Sequence, residues 1–139
     1  MNGYLLDTNV VSELRKPHAD PRVIRWGNRV NPDECHLSVL TLGEIRRGVD
    51  IIGRRDPSQA QTLDRWLRQL QNLYADRILP IGSEIALEWG RLGSIPKLSP
   101  IDALLAATAS HHGLTVVTRN IGDFRLSGVP LLNPFEFEG

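Results

Sequence analysis

The stretch Tyr4-Leu5-Leu6-Asp7-Thr8-Asn9-Val10-Val11-Ser12-Glu13-Leu14 decides the fold. Tyr4-Leu5-Leu6 is apolar without interruption, which suits a short strand buried on both faces of a parallel sheet. Thr8 to Leu14 then has helical spacing and is stopped by Pro17. Asp7 stands at the junction. A carboxylate flush against a buried strand is costly unless something compensates it, so Asp7 is either the cap of the helix that follows or part of a charged site.

Downstream, the same alternation repeats. Pro21 to Val30 reads as a short helix, His36-Leu37-Ser38 as a second strand, and Val39 to Ile52 as a helix. Asp56-Pro57-Ser58-Gln59 is a helix start, with Asp56 as N-cap, Pro57 in the first turn and Gln59 placed to complete a capping box. Behind it Leu63, Trp66, Leu67, Leu70, Leu73 and Tyr74 recur at helical spacing, predicting a long amphipathic helix from Pro57 to Tyr74. Ile78-Leu79-Pro80-Ile81 is a short strand whose proline suits a sheet edge or a strand end. Ser83 to Leu92 is another helix. Ser99-Pro100-Ile101-Asp102 opens the helix Ala103 to His112, closed by Gly113 as a left-handed cap. Thr115 to Thr118 and Val129 to Leu132 are the last strands. Strands alternating with helices imply right-handed crossovers, hence an α/β fold with a mostly parallel central sheet and helices on both faces, in one domain over residues 1–139. Ligands of such sheets bind outside the carboxyl ends of the strands, where Asp7 and the residues after Thr118 fall.

Composition narrows the classes. A chain of 139 residues, 41% hydrophobic and 23% charged, is long enough to bury a core without disulfides or structural metal. No apolar run approaches the ~20 residues of a membrane span, and Asp7 breaks the N-terminal apolar run too early for a signal peptide, so a cytoplasmic location is expected. Cys35 is the single cysteine and reads as buried apolar filler; disulfides and thiolate zinc sites are excluded. Sixteen basic residues balance sixteen acidic ones, which argues against binding nucleic acid by bulk charge. Local binding stays open, because Arg46, Arg47, Arg54 and Arg55 crowd one region: a solvated helix face or an RNA-contacting one.

Three further acids resemble Asp7 in setting: Glu44, Asp102 and Asp123. Each also has a plain structural role available, since Glu44 lies three residues after Thr41 and Asp102 three after Ser99, both fitting capping boxes, while Asp123 can cap a turn after Asn120. Gathered at one sheet edge, four carboxylates would repel one another unless a cation neutralised them. A site of hard oxygen donors suits Mg²⁺, with Mn²⁺ as a substitute, and Mg²⁺ commonly works beside substrate phosphates. The histidines do not compete: His111 and His112 are adjacent, about 100° apart around a helix, and His18 and His36 have no ligand-like neighbours.

Four segments together resemble the PIN-domain proteins: Leu6-Asp7-Thr8-Asn9-Val10-Val11-Ser12-Glu13-Leu14, Ser38-Val39-Leu40-Thr41-Leu42-Gly43-Glu44-Ile45-Arg46-Arg47-Gly48, Pro100-Ile101-Asp102-Ala103-Leu104-Leu105-Ala106-Ala107-Thr108-Ala109, and Val117-Thr118-Arg119-Asn120-Ile121-Gly122-Asp123-Phe124. The likeness is to the VapC toxins of type II toxin-antitoxin systems, in the FitB-like branch. It implies a PIN-like fold and a metal-dependent ribonuclease, usually a homodimer, held inactive by a small antitoxin. The family's acids fall on Asp7, Glu44 and Asp102, and a more variable fourth on Asp123. Thr118, Asn120 and Asn9 match polar positions that support them. Asp7, Asp102 and Asp123 are then expected to hold one or two Mg²⁺ ions, with Glu44 as a further ligand or as the group orienting the attacking water, so that a metal-bound water hydrolyses the RNA phosphodiester. Arg46 and Arg47 are candidates for substrate phosphates or antitoxin, or sit idle in solvent.

Two other functions compete. In one, the chain is chiefly a binding partner that dimerises a DNA-binding antitoxin complex and regulates transcription, touching DNA only through the antitoxin because it lacks a basic helix-turn-helix of its own. The alternative is a phosphoryl-transfer domain with Asp7 as nucleophile; it is disfavoured because Thr8 and Asn9, not another acid, follow Asp7, and the only lysines are Lys16 and Lys97.

Overall fold

The computed structural model describes residues 3–139. Five parallel strands run in the order β3-β2-β1-β4-β5, where β1 is Tyr4–Leu6, β2 Cys35–Ser38, β3 Ile78–Leu79, β4 Thr115–Val117 and β5 Leu131–Leu132. The expected mostly parallel sheet is thus parallel throughout. Among the described residues seven α-helices connect the strands: α1 Thr8–Arg15, α2 Pro21–Arg29, α3 Val39–Gly53, α4 Pro57–Leu73, α5 Ser83–Leu92, α6 Pro100–His112 and α7 Ile121–Phe124.

Alternating residues of the central strands send their side chains to opposite faces, and each face has its own core. Leu6 of β1 and Val117 of β4 join Val10, Val11, Val23, Trp26, Ile45 and Leu67 beneath α1 to α4. Leu5 and Val116, one residue earlier, join Ile85, Leu92, Leu105, Ala106 and Phe124 beneath α5 to α7. Both faces of the sheet are therefore covered by helices. The long helix is where the periodicity puts it, yet Leu73 is 67% exposed, so the apolar stripe of α4 ends at Leu70 on the core side.

The strand ends follow the prolines. β3 stops at Leu79 because Pro80 has no amide to donate, and it is an edge strand. β5 begins only at Leu131; Pro130 still contributes its carbonyl to Val116 N–H at 2.9 Å. β4 ends at Val117 rather than Thr118, whose hydroxyl turns to another partner described below. Gly113 closes α6 with φ 66°, left-handed as its position after His112 requires. Single 3₁₀ turns at Pro32–Glu34, Arg125–Ser127 and Pro134–Glu136 lie outside the periodic pattern. Among the described residues no helix is long and apolar enough to cross a membrane.

Candidate active site

In a parallel sheet all strands end on the same edge, and helices that lead back into the sheet begin there. Asp7 follows β1, α3 follows β2, α7 follows β4, and the first turn of α6 precedes the return into β4. Chain order alone therefore carries Asp7, Glu44, Asp102 and Asp123 toward one edge. Neighbours β2 and β4 lie on opposite sides of β1, which makes the β1/β4 junction the point where the strand order reverses.

Asp7 sits at that junction. Its backbone N–H donates to Val117 O at 2.9 Å, fixing the residue to the end of β4. Oδ1 accepts Thr8 N–H at 2.8 Å, so Asp7 does cap α1. Oδ2 accepts the Thr118 hydroxyl at 2.8 Å and the Asn9 side-chain amide at 3.3 Å. The cap uses Oδ1 alone, and Oδ2 turns to Thr118 and Asn9 instead. Burial raises the Asp7 pKa above its usual value and the nearby Glu44 charge raises it further, against the lowering by Thr118, Thr8 and Asn9.

Glu44 is half-buried on α3 and its Oε1 accepts the Thr8 hydroxyl at 2.6 Å. It is not part of a capping box. Ser38 is the N-cap of α3, its Oγ accepting Leu40 N–H at 3.0 Å, which leaves Thr41 and Glu44 inside the helix and the Thr41 hydroxyl buried without a hydrogen-bond partner among the described residues. Asp102 does follow a cap: Ser99 Oγ accepts its N–H at 3.2 Å. Burial raises the Asp102 pKa, the Ser99 side chain opposes this, and the charges of Asp7 and Asp123 add to the rise. Asp123 lies exposed in the first turn of α7, while Asn120 holds the N-cap position.

The supporting positions are tied to this centre. Asn9 accepts Arg119 N–H at 3.3 Å as well as donating to Asp7. Asn120 contributes its backbone N–H, which donates to Thr118 Oγ1 at 3.0 Å. Arg46 and Arg47 part company: Arg46 bonds Asp64 at 2.6 Å and Asp50 at 2.9 Å, a cross-tie between α3 and α4, whereas Arg47 is exposed and forms no ion pair among the described residues. Of the two, Arg46 is already engaged within the chain. Thr8 was the residue overlooked by sequence reasoning. Its position beside Asp7 was visible, but its partner is on a different helix 36 positions away.

The donor set suits a divalent cation. All four acids offer hard oxygen ligands, and the raised values at Asp7 and Asp102 come first from burial, to which their acidic neighbours add. Among the described residues no three Asp, Glu, His or Cys side chains converge closely enough to enclose one ion. That is compatible with Mg²⁺, which binds through one or two carboxylates and completes its shell with water and phosphate. His111 instead faces Glu84 at 3.5 Å, remote in the fold from the Asp7 edge, and packs edge-on against His112. Cys35 is buried, its thiol pushed up to about 11 by desolvation, as filler should be.

Comparison with known proteins gives one consistent picture. Residues 4–126 match the PIN domain family. Toxin FitB of Neisseria gonorrhoeae is 33% identical over 138 residues, spanning 94% of this chain and 97% of that protein. VapC ribonuclease Y4jK of Sinorhizobium fredii is 31% identical over 139 residues, spanning 95% and 97%. The crystal structure of FitAcB from Neisseria gonorrhoeae superposes with a TM-score of 0.88 at 34% identity, covering 96% of this chain and 99% of that one.

Proposed function

The chain belongs to the PIN domain family, and on that premise we propose that it is the endoribonuclease toxin of a type II toxin-antitoxin pair, using Mg²⁺ to hydrolyse RNA phosphodiesters in the cytoplasm. The observation that carries the mechanism is the pair Asp7 and Asp102, whose carboxyls are raised by burial and by their acidic neighbours at one sheet edge. The chain pairs with an antitoxin, as its relatives do. Homodimerisation, and contact with DNA through the antitoxin alone, complete the proposal.

One or two of Asp7, Asp102 and Asp123 would hold the cation directly and the remainder through bound water, since no three acids converge on one point among the described residues. When bound, it lowers the pKa of water and stabilises charge on the attacking and leaving oxygens of an in-line displacement. Thr118 and Asn9 fix the Asp7 Oδ2 lone pairs, and Asn9 is itself held by Arg119 N–H. Glu44, tied at Oε1, keeps Oε2 for a water or for the cation. Arg47, on the same helix as Glu44 and free of ion pairs among the described residues, is the arginine placed to meet a phosphate.

The test is cleavage of a defined RNA panel by the purified chain in Mg²⁺, in Mn²⁺ and in EDTA. Cleavage confined to the divalent conditions, abolished in Asp7→Asn and in Asp102→Asn and suppressed by the antitoxin, is the expected outcome. Full activity in Asp7→Asn, or in EDTA, sinks the mechanism.

A further inference from the structure

Resting on the metal-site reading above, we propose that Thr8 is a positioning residue that clasps Asp7 and Glu44 together, setting the spacing and orientation of the two carboxylates that the cation meets. Thr8 is the first residue of α1 and donates to both acids with different groups. Its backbone N–H goes to Asp7 Oδ1 at 2.8 Å and its hydroxyl to Glu44 Oε1 at 2.6 Å. The first bond is available to any residue after an N-cap acid. The second needs a hydroxyl.

The clasp answers a physical problem. Asp7 and Glu44 come from different elements, the end of β1 and the body of α3, and two negative charges brought together repel. Three donors hold Asp7, from Thr8, Asn9 and Thr118. Glu44 receives only the Thr8 hydroxyl among the described residues, on a side chain with three freely rotating bonds. A charge-assisted bond of this length selects one rotamer and leaves the other carboxylate oxygen for a ligand. Remove the hydroxyl and no other hydrogen bond among the described residues restrains the Glu44 carboxylate against swinging away from Asp7. Thr8 need not touch the cation or the RNA to do this.

The experiment compares Thr8→Val, which keeps the shape and loses the hydroxyl, with Thr8→Ser, which keeps it. Mn²⁺ affinity of the free chain is measured by titration calorimetry, and RNA cleavage is resolved into kcat and KM. Loss of a group that orients a metal ligand typically costs about 10–100-fold in affinity or activity. Thr8→Val is therefore expected to weaken Mn²⁺ binding by about that factor and to lower kcat with KM little changed, and Thr8→Ser to retain most of both. In a Glu44→Ala background, which removes the acceptor, Thr8→Val should add no further loss of Mn²⁺ affinity, which a general packing defect would. Thr8→Val binding Mn²⁺ as the wild type does overturns the clasp, even if the wild type cleaves RNA. Wild-type chain whose Mn²⁺ affinity depends on the Thr8 hydroxyl but which does not cleave RNA leaves the clasp standing and removes the nuclease. Wild-type chain that fails to bind Mn²⁺ overturns both.

Discussion

The Thr118 hydroxyl donates to Asp7 Oδ2 at 2.8 Å, linking residues 111 positions apart at the junction of β1 and β4. Thr118 is fully buried, so water can reach this bond only from the Asp7 side. Thr118→Val keeps the shape and leaves the half-buried carboxylate short of one donor, a loss of about 1–3 kcal/mol. Urea unfolding should show a lower midpoint at unchanged slope, while Thr118→Ser stays near wild type. An unchanged midpoint in Thr118→Val would mean that Asp7 does not depend on this bond.

Asp7 and Asp102 make the metal-free chain sensitive to pH in a defined direction. Both carboxyls have folded-state values raised above 3.8, so the unfolded chain releases their protons more readily. Their contribution to stability is full below 3.8 and is lost as pH rises through the raised folded values. In EDTA, Asp102→Asn should raise the melting temperature at pH 7 and flatten its fall between acidic and neutral pH. High salt should shrink the difference, because Asp102 is only partly shielded from solvent. Mg²⁺ should stabilise the wild type and not Asp102→Asn, since only a ligand that prefers the folded state raises its melting point. Scanning calorimetry with and without chelator measures all of this, and an identical pH slope in the variant refutes it.

Local chemistry made most of these elements legible. Pro17, Pro57, Pro100 and Gly113 punctuate helices by geometry that belongs to the residue itself, and the uninterrupted apolar strands could only be buried on both faces. The acids were legible as strand-end and helix-start residues. Their orientation was not, because it depends on partners distant in the chain: Thr8 bonds Glu44, Arg46 bonds Asp64, and Thr118 bonds Asp7. The apparent Thr41-Glu44 capping box failed for a related reason. Ser38, at the end of β2, had already capped α3, and no spacing rule records where the preceding strand stops. Leu73 has helical spacing yet faces solvent, since Leu70 and Tyr74, four residues apart, occupy the core-facing positions on either side of it.

Arg46 and Arg47 are adjacent in sequence and should behave differently. Arg46 is held by Asp50 and Asp64 on the α3–α4 surface, so Arg46→Ala should leave RNA cleavage intact and cause a small loss of thermal stability that disappears at 1 M salt, where screening acts within about 3 Å. Arg47→Ala should raise the KM for RNA. If Arg47 neutralises one phosphate of a single strand, the slope of log affinity against log salt should fall by about 0.7. Equal salt slopes in wild type and Arg47→Ala would assign Arg47 to solvent or to the antitoxin, which a binding titration with the antitoxin then separates.

Phe124 connects the core to Asp123. The α7 helix has only four residues, far too few to be stable alone, and Asp123 is exposed on it. Phe124, the next residue, is fully buried with Leu5, Val116 and Ala103, so the position of Asp123 depends on how that ring is seated. Phe124→Ala should cost about 3–5 kcal/mol, a large share of a typical domain's 5–15 kcal/mol. Phe124→Leu is the informative variant, because it leaves a smaller cavity than Phe124→Ala, costs less and preserves the fold. It should weaken Mg²⁺ binding and cleavage out of proportion to its effect on the urea midpoint, and adding Asp123→Asn should then produce little further loss. If Phe124→Leu lowers stability alone, with Mg²⁺ affinity unchanged, Asp123 does not belong to the metal site and Asp7, Glu44 and Asp102 must hold the cation without it.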